Sequence, residues 1–180
     1  MRYMSSKRMS CMAKALGCLL AVCLAFGALP AMAPKTVMAA GTTVTVAAPT
    51  GDAATDTASI ANALASAGPD DTIALAAGDY VVSGTINITK SNFTLKGAGM
   101  DTTRILSTSM GTLMLISGVH NFELSDLTLD GSPVGAKTQK SNSNGLFGTK
   151  SVALYIHNIA VRNIGAGEGI YLSGIIVSIR

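Results

Sequence analysis

Two carboxylates in one short stretch are spaced as if to act together. Asp126 and Asp130 stand four apart in SDLTLD, with Thr128 between them. On a straight strand all three share the outward face, and four residues at about 3.3 Å set the carboxylates ~13 Å apart. That is too far for one metal ion or a shared proton. It also exceeds the about 5 to 9.5 Å between the paired carboxylates of glycoside hydrolysis. Each therefore needs a partner from another segment. The segment 32 residues on offers one, because Phe122, Leu124, Leu127 and Leu129 match Leu154, Ile156, Ile159 and Val161. That alignment lays Asn158 over Asp126 and Arg162 over Asp130. A guanidinium so placed suits a ligand carboxylate or acts as a base. The plainer reading, and the one we favour from sequence, is a surface ion pair beside a polar ladder, each worth little.

The other polar candidates are more scattered. Lys137 and Lys140 lie in GSPVGAKTQKSNSNGLFGT, residues 131–149, which reads as one long loop. Loops of that length are often functional, and the two lysines suit an acidic polymer, although solvated loop lysines are the commoner case. Glu168 sits in GAGEG, where a plain turn residue is the simpler reading. His120 and His157 are the only histidines, and neither has a His or Cys partner at metal-ligand spacing. His120 reads as a turn residue before a strand. His157 reads as outward-facing, opposite to Ile156. Asn87-Ile88-Thr89 and Asn92-Phe93-Thr94 match the N-glycosylation pattern, but both fall in expected strands and are discounted.

The elements that must position these groups are one helix and many short strands. In SIANALASA, residues Ile60, Ala63, Leu64 and Ala67 form one apolar stripe, so a helix is expected over Ser59 to Ala67. Asp56 or Thr57 is the expected N-cap, Gly68 the C′ residue and Pro69 the stop. A helix this short needs something to pack on. Strands follow at Thr72 to Leu75, Tyr80 to Val82, Ile86 to Ile88 and Phe93 to Leu95, with turns at Asp70-Asp71, Ala77-Gly78-Asp79, Ser83-Gly84 and Ser91-Asn92. NFTL at Asn92 recurs as NFEL at Asn121, an offset of 29. Offsets of 29 and 32 describe coils whose turns differ in length, stacked so that apolar positions form columns about 4.8 Å apart.

The stretch Asp56 to Gly99, with DTIALAAGDY followed by TLKGAGM, resembles the opening of a right-handed parallel β-helix of the pectate-lyase-like superfamily. The resemblance covers most of the chain beyond residue 40. It implies an all-β solenoid with a short N-terminal capping α-helix. It also implies carbohydrate as the partner, here a pectate-like or other acidic polysaccharide. Relatives include lyases that use calcium-binding carboxylates with an Arg or Lys base, so calcium is implied by resemblance alone. No catalytic motif carries over by position. Asp126, Asp130, Lys137, Lys140 and Arg162 remain candidates for substrate binding. A non-enzymatic surface or adhesion solenoid that binds glycans is the alternative of a different class. A metal-handling periplasmic solenoid is argued against by the histidine and cysteine count.

Charge and address come from the first forty residues. Arg2, Lys7, Arg8, Lys14 and Lys35 precede Ala40 without one acidic residue, and the formal charge of the whole chain is +3. Beyond Ala40, eight basic residues face ten acidic ones, which gives no basic surface for nucleic acid. Basic residues, the apolar run Ala15 to Leu29, then Val37-Met38-Ala39 follow the pattern of a secretory signal peptide cut near Ala39 or Ala40. The run is short for a membrane span. The expected outcome is a secreted or cell-surface protein. Cys11, Cys18 and Cys23 all lie in this leader, so the mature chain has no disulfide. Residues 41–55 read as a first strand or a linker, and 56–180 as coils. Gly169 to Gly174 begins another coil, and the strand expected at Val177 to Arg180 has no polar closing coil after it. We therefore expect a C-terminally truncated solenoid that self-associates through its last coil.

Overall fold

A computed structural model of the protein describes residues 41–109, 111–131, 144–165 and 167–175. The leader, Lys137, Lys140 and the expected strand at Val177 to Arg180 lie outside the described residues. The described chain is one helix, α1 (Ala53–Ser66), and eleven strands in two parallel sheets. The strands are β1 (Thr43–Val46), β2 (Thr72–Leu75), β3 (Gly78–Val82), β4 (Ile86–Ile88), β5 (Phe93–Lys96), β6 (Thr103–Ser107), β7 (Met114–Ser117), β8 (His120–Asp130), β9 (Leu146–Thr149), β10 (Val152–Arg162) and β11 (Ile170–Ser173).

These strands wind into a parallel β-helix with three faces. The first face stacks β1, β2, β5 and the first halves of β8 and β10. The second stacks β3, β6 and the second halves of β8 and β10. The third stacks β4, β7, β9 and β11. Both sequence repeats are observed as register: Phe93 lies beside Phe122, and Phe122 beside Leu154. Inward residues form the expected columns. Ile73, Leu95 and Leu124 are fully buried on the first face, and Tyr80, Ile105 and Leu129 on the second.

β8 and β10 each serve two faces because each bends at a residue of positive φ. These are Asp126 (φ 59) and Asn158 (φ 50), stacked one above the other, with Asn158 Nδ2 donating to Asp126 Oδ1 at 3.2 Å. Asx residues tolerate this left-handed conformation better than most. The bend inserts one residue into the alternation, so that Leu124 and Leu127 both point inward. Asp126 and Asp130 therefore do not lie on one straight strand. Asp126 is a corner residue, and Thr128, although outward, is buried.

The helix begins six residues earlier than its apolar stripe indicates. Asp52 is the N-cap and accepts from the Thr55 N–H at 2.8 Å. Asp56 is instead a buried carboxylate in the first turn, accepting from Thr50 N (2.8 Å), Thr50 Oγ1 (2.8 Å), Gly51 N (3.1 Å) and Val81 N (3.0 Å). It ties the helix to β3, so that Ile60, Ala63 and Leu64 cover the first coil. β1 is the first strand of the first face, which decides between strand and linker for that segment. Three smaller corrections follow from pairing. Gly78 and Asp79 open β3 instead of turning, and His120 is the first residue of β8. Leu146–Thr149 is β9 and not loop. β11 completes the third face of the fourth coil. Among the described residues no helix is long and apolar enough to cross a membrane.

Candidate functional site

The outward side of the second face carries a row of charge. Register places Asp79, Arg104 and Thr128 in one column, and Leu106, Asp130 and Arg162 in the next. Arg104 joins the columns. Its Nε donates to Asp79 Oδ1 at 3.0 Å and its Nη2 to Asp79 Oδ2, a bidentate pair, while Nη1 lies 3.6 Å from Asp130 Oδ2. The hydrogen bonds to Asp79 and the nearby Asp130 charge raise the Arg104 pKa further, so the guanidinium stays charged.

Asp130 is held where a carboxylate rarely sits, with its side chain only 4% exposed. Besides Arg104 it accepts from Asn163 Nδ2 at 2.9 Å. Asn163 occupies a third corner of positive φ, and the backbone there passes so close that a side chain on Gly131 would meet Asn163 O at 2.3 Å. That close approach fits glycine alone. Arg162 stands in register with Asp130, as the repeat predicts, but its guanidinium reaches diagonally. Its Nη2 donates to Thr128 Oγ1 at 3.1 Å, and Thr128 Oγ1 donates to Met100 O at 2.6 Å. Arg162 is itself exposed. The row therefore runs from an exposed carboxylate (Asp79), through a paired guanidinium and a buried carboxylate, to the exposed residue Arg162.

The remaining sequence candidates separate from this row. Asp126 belongs to the corner ladder with Asn158. His157 Nε2 lies 3.2 Å from Glu123 Oε1 on the first face, and its ring centroid is 4.6 Å from that of Tyr155. His120 Nε2 lies 3.3 Å from Asn92 Nδ2. Glu168 acts through its backbone: its N–H donates to Asn144 Oδ1 at 3.0 Å, and its carbonyl accepts from the Gly145 N–H. Sequence reasoning missed Arg104 and Asp79, which lie in segments matched by no repeat read there. It also missed Phe147 stacked on Tyr171 (5.4 Å, 29°) on the third face. An outward aromatic two residues into each strand was the available signal.

Calcium needs several converging oxygen ligands. Among the described residues no group of three or more His, Cys, Asp or Glu is placed to hold a metal. The two carboxylates of the row are already engaged by Arg104. No chemistry is drawn through a calcium ion.

No protein-family model matches the chain, and no curated protein matches it. Among solved structures the chain is similar to a pectin methylesterase variant in complex with a hexasaccharide. The likeness has a TM-score of 0.50 and 20% identity over 64% of this chain and 41% of that one. It shows the fold, a right-handed parallel β-helix. The chain spans about two-fifths of the length of the structure it matches.

Proposed function

We propose that this chain belongs to an exported, carbohydrate-active β-helix protein that engages an acidic, pectate-like polysaccharide, with Arg162 as the residue that takes a uronate carboxylate. The observation that carries this reading is the exposed Arg162 guanidinium, set at the end of the row by Thr128 beside the buried Asp130. A planar guanidinium matches a carboxylate in bidentate geometry. One N–H of Arg162 is fixed by Thr128, so the fork meets a ligand partly oriented, which lowers the ordering cost on binding. Two further observations support the reading. The leader has the three-part pattern of an export signal, and the fold is shared with a protein whose structure holds an oligosaccharide. Lys137 and Lys140 extend the proposal as loop cations for the same polymer. The resemblance points to eliminative cleavage, as in polysaccharide lyases.

A second reading, a solenoid that binds glycans without acting on them, is favoured by one feature. Both carboxylates of the row are engaged by Arg104, and Asp130 also by Asn163. That is how charges are held in place for recognition, and a general base needs a lone pair turned to its substrate. An elimination assay tests the first reading. Pectate, alginate and related uronic-acid polymers are incubated with the protein, with and without calcium, and the unsaturated product is followed by its ultraviolet absorbance. A signal abolished by Arg162→Ala supports cleavage at this face. Binding of uronic-acid oligomers without that signal supports the second reading. Neither binding nor signal contradicts both.

A further inference from the structure

The first face carries a groove that plays no part in the proposal above. It is open, about 660 Å³ in volume, and crosses four coils along the solenoid axis. Asp70, Asn92, Thr94, Asn121, Glu123 and Tyr155 line it together with apolar residues of the same coils. Thr94, Glu123 and Tyr155 are successive members of one outward column. Asn92 and Asn121 form the neighbouring corner, both at positive φ, with Asn121 Nδ2 donating to Asn92 Oδ1 at 3.1 Å. Three steps between coils, at about 4.8 Å each, make the groove ~14 Å long.

Tyr155 is the most exposed large hydrophobic side chain of the described residues, at 62%. It is nonetheless braced. His157 packs against its ring at 4.6 Å and is itself placed by Glu123 at 3.2 Å. An exposed aromatic held in position, beside a line of amide, hydroxyl and carboxylate groups, is a surface with one flat apolar wall and many hydrogen-bonding atoms.

We infer that this groove binds an uncharged, hydroxyl-rich linear glycan, with one sugar ring against Tyr155 and its hydroxyls donating to Glu123, Asp70 and the asparagine amides. The chemistry of the lining selects this occupant. The only charged residues lining the groove are two carboxylates, which repel phosphates and uronates, so neither nucleic acid nor the acidic polymer proposed for the second face fits. An extended peptide recognises a sheet by its free edge. Here the strands beneath the groove are paired with one another, so only side chains are available for reading. Sugar hydroxyls match carboxylate and amide acceptors, and a pyranose face matches an aromatic ring. The two outer faces thus differ in charge and in ligand, and this inference stands whether or not Arg162 binds a uronate.

Calorimetric titration of the purified protein tests it. The probes are uncharged hexasaccharides built from glucose, mannose, xylose or N-acetylglucosamine, with hexagalacturonate as the acidic comparison. At least one uncharged probe is expected to bind. Tyr155→Ala should weaken that binding at least about tenfold, and Arg162→Ala should leave it unchanged. Thr94→Trp, which places a bulky ring in the groove, should abolish it. Circular dichroism checks that both groove variants fold. The inference is overturned if no uncharged probe binds at millimolar concentration. It is also overturned if binding survives both groove variants, or if Tyr155→Ala weakens hexagalacturonate and the uncharged probe equally.

Discussion

Asp56 shows how a single residue decides where the helix sits. Its carboxylate is 1% exposed and accepts four hydrogen bonds, from the segment before the helix and from β3. Burial alone would raise its pKa, but the bonds from Thr50, Val81 and Gly51 outweigh that and hold it below the usual carboxylate value. A depressed folded-state pKa means that its stabilisation is complete above the unfolded value of about 3.9 and is lost as pH falls through the folded value. Asp56→Ala leaves buried amides without an acceptor and should cost about 3 kcal/mol in urea unfolding at neutral pH. Asp56→Asn should flatten the acid limb of the stability curve, and an unaltered acid limb would show that Asp56 is not the group responsible. The sequence reading took Asp56 for an N-cap, a place that Asp52 holds. It could not tell a cap from a buried anchor, because the donor from Val81 arrives from 25 positions away.

At the scale of the element, the bent strands matter most. Alternation over residues 122–130 reads as one straight strand, and that reading puts Thr128 in solvent. The corner at Asp126 changes both. The signal was present in the sequence as Asx over Asx, Asp126 and Asn158, at the same offset of 32 as the apolar columns. Periodicity alone carries no information about a single left-handed residue. The strain belongs to the backbone, so it can be tested at the exposed position. Asn158→Ile places a β-branched residue at φ 50 and should lower stability by about 2 kcal/mol. Asn158→Gly should be close to neutral despite losing the bond to Asp126. Equal losses in the two variants, measured by thermal unfolding, would mean that the side-chain ladder outweighs the corner.

Across the whole molecule, the apolar columns were the part most legible in sequence, because each coil repeats the same inward residues and cannot bury them alone. The register of Phe93, Phe122 and Leu154 follows from that need. The outward faces were least legible. Nothing in the spacing of Asp79, Arg104 and Asp130 shows that they meet, since the connections of the second face set their offsets independently of the first. Stacking also makes the solenoid vulnerable at its centre. Leu124 is fully buried between Leu95 and Ile156, and Leu124→Ala should destabilise by about 3 kcal/mol. If the coils unfold as one unit, tyrosine absorbance and far-ultraviolet circular dichroism will shift together. Separate transitions would show that the coils on either side of Leu124 are only weakly coupled.

The central functional claim is that the exposed end of the second-face row recognises a uronate. Its most direct test is calorimetric titration of hexagalacturonate into the protein and into Arg162→Ala at low ionic strength. Measurable binding is expected, and it should weaken as salt is added. Removal of the guanidinium should cost about tenfold in affinity, ~1.4 kcal/mol. Equal affinity in the two proteins, or no binding by either, would contradict it.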